Sequence, residues 1–158
     1  MAKRWAGIVV SGSEVCVVDA EVPTDKDEPI SILSENKWTL QKGDAPSAYG
    51  VMYNRCVSFL RENKIELAVI KESAAGKGMG IAMLRSAELR GVIMAAATCA
   101  TRVAMASKSG VTKTYGKRTV KEYIDDDDFW KEQTDSAHLK KWAREPTMYL
   151  VALRNKAK

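Results

Sequence analysis

Apolar and polar positions alternate at the start of the chain and change to a helical period further on. Arg4 to Ser11 reads as a strand centred on Ile8, Val9 and Val10. Ser11-Gly12-Ser13 is turn chemistry, and Glu14 to Val22, rich in β-branched residues, returns as the second strand of a hairpin. Pro23 to Pro29 is a polar connection, and Ile30 to Leu40 predicts a third antiparallel strand carrying Trp38. Asp44-Ala45-Pro46-Ser47 opens a helix in which Met52, Cys56, Phe59 and Leu60 form one apolar face. Ile65 to Ile70 is a short apolar run of strand length, ended by Lys71-Glu72-Ser73 and a Gly-rich loop from Ala74 to Gly80.

Ile81 to Cys99 predicts a second helix, apolar on nearly every side around Gly91 to Ala97, as expected of a helix buried against a sheet. Arg102 to Ala106 is the fifth strand and Ser107 to Gly116 a polar, basic loop. A short helix over Lys117 to Ile124 is followed by helices over Lys131 to Arg144 and Thr147 to Lys156, with Pro146 at the first position of the last one. The order β-β-β-α-β-α-β-α describes an α/β domain with a mixed five-stranded sheet flanked by helices.

The chain has 158 residues, 46% apolar and 28% charged, which suits one domain spanning residues 1–158 with its own core. No apolar run approaches the roughly 20 residues of a membrane span. Met1-Ala2-Lys3-Arg4 leads into a strand rather than a signal-peptide core, so a cytoplasmic location is expected. Cys16, Cys56 and Cys99 form no close pair and His138 is the lone histidine, which argues against a Cys/His zinc site; each cysteine is expected to be a small buried hydrophobe. Met79, Met83, Met94 and Met105 are expected to fill the core. The net charge of +5 is concentrated: Lys71 to Lys121 holds ten basic residues against Glu72 and Glu88 alone. A basic middle points to a polyanionic partner, against the alternative of scattered solvated lysines.

The segment Leu67 to Ala97, LAVIKESAAGKGMGIAMLRSAELRGVIMAAA, runs from a strand with an acidic end, through a Gly/Lys loop, to a helix with an Arg-Gly pair and an alanine-rich end. Arg102 to Val120, RVAMASKSGVTKTYGKRTV, follows as strand, basic loop and helix start; Gly7-Ile8-Val9-Val10-Ser11-Gly12-Ser13 opens the chain. In this order the segments resemble the RuvC-type Holliday-junction resolvases of the RNase H-like superfamily.

The resemblance implies a centre of four carboxylates holding two Mg²⁺ or Mn²⁺ ions, which activate water and stabilise the leaving oxygen of a phosphodiester. Carried over position by position, Glu72 is the acid at the end of the central strand and Glu145 one of two acids on the last helix. Val9 and Met148 stand where the other two should be. Glu72 and Glu145 are thus the candidate catalytic and metal-binding residues. Glu14, Asp19, Glu21 and the run Asp125 to Asp128 are conceivable substitutes. Alternatively, Glu72 is a surface residue, Glu145 complements a helix dipole, and the aspartate run is a solvated turn. Lys77, Arg85, Lys108, Lys113, Tyr115, Lys117 and Arg118 are the candidate nucleic-acid contacts, with Gly76, Gly78 and Gly80 allowing close approach to phosphate.

Three functions follow: a DNA-binding protein with little or no nuclease activity, an active metal-dependent endonuclease with a displaced carboxylate set, or a protein-interaction module. In the last, the acidic run with Trp130 and Trp142 would be a partner surface. Branched or duplex DNA is the expected partner, a homodimer is implied by the family, and a protein partner is the alternative.

Overall fold

The computed structural model describes residues 1–74, 76 and 80–156. Strands β1 (Lys3–Ser11), β2 (Glu14–Val22) and β3 (Ser31–Thr39) form an antiparallel meander, and β4 (Leu67–Lys71) and β5 (Arg102–Ala106) add in parallel to β1, giving the order β3-β2-β1-β4-β5. Helices α1 (Ala45–Glu62) and α2 (Ile81–Ala100) cover one face. On the other lies α6 (Lys141–Lys156), with α3 (Lys108–Thr114), α4 (Val120–Ile124) and α5 (Asp127–Gln133) packed around it. The mixed sheet and its helical layers are those expected from the sequence pattern.

Alternation along β1 divides two cores. Ala6, Ile8 and Val10 meet Met52, Cys56 and Leu60 of α1 and Leu89 and Ile93 of α2. Trp5 and Val9 meet Met148, Tyr149 and Leu150 of α6. Helix α1 starts where Asp44 accepts a 3.0 Å hydrogen bond from the Ser47 amide, a side-chain cap of one free helix-end donor.

Several elements differ from the sequence pattern. The stretch after β5 is a helix, α3, because Ser107 Oγ accepts from the Gly110 amide and Val111 gives it a buried anchor. The helix expected over Lys131 to Arg144 is absent. Instead the Gln133 carbonyl and the Asp135 amide pair with Ile30, drawing the backbone after α5 alongside β3. Helix α6 starts earlier, at Lys141, and continues through Pro146 rather than starting there.

Helix α2 is buried only in its second half. Ile81 is 69% exposed, and Met83 and Leu84 also face solvent, as does Met105 on β5, so Met83 and Met105 are not core filler. Met94 packs against the core, and Met79 lies outside the described residues. Cys16 and Cys56 are buried as expected, burial pushing the Cys56 thiol up to about 12, but Cys99 is exposed. Trp130 is 2% exposed, its indole N–H donating to the Tyr123 carbonyl, so it is no partner surface. No helix among the described residues is long and apolar enough to cross a membrane.

Candidate functional site at the carboxyl end of the sheet

The carboxyl ends of β1 and β4 lie side by side and open into a cleft of about 460 Å³. Val9, Val10, Ser11 and Gly12 line it from β1 and its turn, Lys71 to Ala74 from the end of β4. Ala82, Met83, Ser86 and Arg90 come from α2, and Glu145 from α6. This is the strand edge at which open α/β sheets place their ligands.

The β1–β4 register pairs Ile8 with Ile70, so the next residues, Val9 and Lys71, are neighbours on the α6 face. There the Lys71 ammonium lies 2.8 Å from Glu145 Oε2, and each side chain is 19% exposed. The same oxygen accepts a 2.7 Å bond from the Tyr149 hydroxyl. Burial first, then the charge and hydrogen bond of Glu145, push the Tyr149 hydroxyl well above its ordinary pKa, so it stays a donor. Glu145 is therefore neutralised by a lysine, and Met148, one turn on, is fully buried in the core.

Strand alternation turns Glu72 away from α6. Its amide donates to the Ala106 carbonyl, while its side chain is exposed at the cleft rim with no hydrogen bond or ion pair among the described residues. The cleft thus contains both Glu72 and Glu145, but only Glu145 sits in the Lys71 cluster.

These donors do not fit a two-metal centre. Val9 and Met148 supply no ligand, Lys71 supplies a cation where a divalent ion would need oxygen, and no cluster of three metal-binding side chains exists among the described residues. The conceivable substitutes are engaged elsewhere. Asp19 is buried and grips Arg4 through bonds of 2.9 and 2.6 Å, and Glu14 pairs with Lys37. Glu21 pairs in register with Arg4, at the opposite end of β1. Asp125 holds Lys121 and Lys141, Asp126 caps α5 and holds Arg118, Asp127 holds Arg144, and Asp128 faces Lys131. The aspartate run is a set of local ion pairs around α4, α5 and α6.

Among the candidate phosphate contacts, Arg85 on α2, Lys108 and Lys113 on α3, and Lys117 after it are exposed and belong to segments leaving the carboxyl ends of β4 and β5. Arg118 is half-exposed but engaged, 3.0 Å from Asp126 and stacked on Tyr123. Tyr115 packs edge-on against Tyr123 and Phe129, and burial raises its pKa. Lys77 and Gly78 lie outside the described residues.

Sequence reasoning missed two residues of the cleft. Lys71 was visible only as one more basic residue, because which of Lys71 and Glu72 faces α6 depends on the register of β4 in the sheet. Arg90 was visible as half of the Arg-Gly pair. It is 8% exposed, with Nη1 2.6 Å from Ser73 Oγ and Nη2 3.0 Å from the Val10 carbonyl.

The fold is similar to that of RuvC from T. thermophilus. A structure of that protein in complex with Holliday junction substrate matches with a TM-score of 0.66 at 13% identity, covering 96% of this chain and 91% of that chain. A second T. thermophilus RuvC structure gives 0.65 at 14% identity, covering 96% of this chain and 92% of that one. The yeast mitochondrial Holliday junction resolvase gives 0.61 at 14% identity, covering 96% and 78%. Protein-family models and curated protein sequences return no match. The chain has the RuvC-type RNase H-like fold.

Proposed function

We propose that this protein binds nucleic acid, branched or duplex DNA, by shape and phosphate contacts, and does not carry out two-metal phosphodiester cleavage. The observation that carries the reading is the Lys71–Glu145 ion pair beside Val9 at the carboxyl end of the central strands. It puts an ammonium group where a carboxylate set would gather cations and ties up Glu145, the one acid on that face of the cleft among the described residues. Glu72 remains as a rim residue, too isolated to hold a metal pair. Binding draws on the exposed charges of Arg85, Lys108, Lys113 and Lys117 and on the basic middle of the chain. The solved neighbour in complex with a Holliday junction supports DNA as the class of partner. In this reading the protein works in the cytoplasm, and the exposed apolar start of α2, with Ile81, Met83 and Leu84, is where a second copy would pack.

A labelled four-way junction and a plain duplex are incubated with the protein in Mn²⁺ and in EDTA, across a salt series, with Glu72→Gln alongside. The expected result is a shifted, uncut band, weakened by salt and indifferent to Mn²⁺ and to the substitution. Mn²⁺-dependent cleavage that disappears in Glu72→Gln would overturn the loss of chemistry. Absence of any affinity at low salt would overturn the nucleic-acid reading.

A further inference from the structure

Arg90 has an unusual environment for a buried charge. The guanidinium is held by one serine hydroxyl and one backbone carbonyl, and its Nε–H has no partner among the described residues. Burial lowers its pKa from the ordinary arginine value, with no carboxylate acting against that effect. The remaining residues, Ala75, Lys77, Gly78, Met79, Ala157 and Lys158, carry no acidic side chain. Buried charges are normally paired, since removing a lone charge from water is costly. Among the described residues no acidic partner faces the guanidinium, and the side chain lines an open cleft.

We propose that this cleft is an oxyanion site in which Arg90 receives a phosphate group. The guanidinium fork matches phosphate oxygens geometrically. Ser73 Oγ already accepts from Arg90, which leaves its own proton to donate into the cleft, and the exposed Ser11 hydroxyl stands on the same wall. Donors from several directions suit a tetrahedral anion better than a planar carboxylate. The Lys71–Glu145 pair helps by neutralising the carboxylate on the α6 side, leaving Glu72 at the rim as the one unpaired acid among the described residues of the cleft. The site deepens the nucleic-acid reading and rests on it only for the source of the phosphate: a nucleic-acid backbone or a free phosphate monoester.

The test is thermal and denaturant unfolding of the whole chain against inorganic phosphate at constant ionic strength, for wild type, Arg90→Met and Ser73→Ala, with phosphorus NMR line broadening as a direct readout. At free phosphate ten times Kd the wild-type folding constant rises by a factor of about 11. Arg90→Met should lose that response and Ser73→Ala should weaken it while leaving Arg90 in place. If Arg90 served only as a structural brace, wild type and Arg90→Met would differ by the same margin at every phosphate concentration. That result, or no phosphate response in wild type, overturns the proposal.

A second arm titrates labelled junction DNA with wild type and Arg90→Lys. Competition by phosphate and weaker binding by the variant assign the site to the DNA backbone. Phosphate binding with DNA affinity unaffected assigns it to a free monoester. Phosphate binding by a wild type that binds no DNA sinks the function proposed above and leaves the oxyanion site standing.

Discussion

Gly7 of β1 and Pro146 of α6 touch backbone to backbone: a Cβ at position 7 would overlap the Pro146 carbonyl. The contact sets how closely α6 lies on the sheet, and therefore how near Glu145 comes to Lys71. Gly7→Ala cannot be relieved by a rotamer change, because the obstacle is backbone. Overpacking of this kind costs about 1–3 kcal/mol. A urea midpoint lowered by that amount, with an unchanged slope, is the expected outcome.

The Lys71–Glu145 pair is part-buried and closed by Tyr149. Lys71→Met or Glu145→Gln alone strands one charge, whereas the double variant strands none. The double-mutant cycle should show a coupling of about 1–2 kcal/mol, within the usual range for residues in contact. Wild-type stability should not respond to Mn²⁺. A chain with Val9→Asp and Lys71→Glu places two new acids beside Glu145, and its melting temperature should rise with Mn²⁺. A wild type stabilised by Mn²⁺ as strongly as this variant would contradict the fit described above.

Acid should weaken the fold through exposed carboxylates. The Ser47 side chain and amide hold Asp44 below the ordinary value of 3.8. The Lys141 ammonium does the same for Asp125, and the Phe129 amide followed by Arg118 for Asp126. A carboxyl whose folded pKa is depressed binds its proton more readily when unfolded. Its contribution is therefore present above the unfolded value and is lost as pH falls through the folded value. Unfolding monitored by circular dichroism should show stability falling below about pH 4, and Asp126→Asn should flatten that limb.

DNA affinity should fall with salt in proportion to the phosphates neutralised. Lys108→Ala, Lys113→Ala, Lys117→Ala and Arg85→Ala each remove one exposed charge. Each should reduce the slope of log affinity against log salt by about 0.9 for every phosphate left without its cation. Arg118→Ala should instead lower stability with little change in that slope, because its guanidinium holds Asp126 and covers Tyr123.

The sheet, its strand order in sequence, and helix α1 were legible from the chain because each depends on a local period, and α2 because its run of alanine, methionine and other apolar residues is too long for a strand. The β1–β2 hairpin announces itself through Ser11-Gly12-Ser13 between two alternating runs, and α1 through the Asp44 cap and the spacing of its apolar face. In the weakly patterned second half, distant contacts override local preference. Ile30 claims the backbone of Gln133 and Asp135, and α6 accepts Pro146 because its flanks are packed on β1.

The loss of a carboxylate at Val9 could be read in the amino-acid sequence, since no fold can turn a valine into a metal ligand. The pairing of Lys71 with Glu145, and the isolation of Arg90, could not. A strand sends successive side chains to opposite faces, so a one-residue slip in the register of β4 decides whether a lysine or a glutamate meets α6. That register is set by the pairing of β4 with β1 on one side and β5 on the other, up to the bond from the Glu72 amide to Ala106.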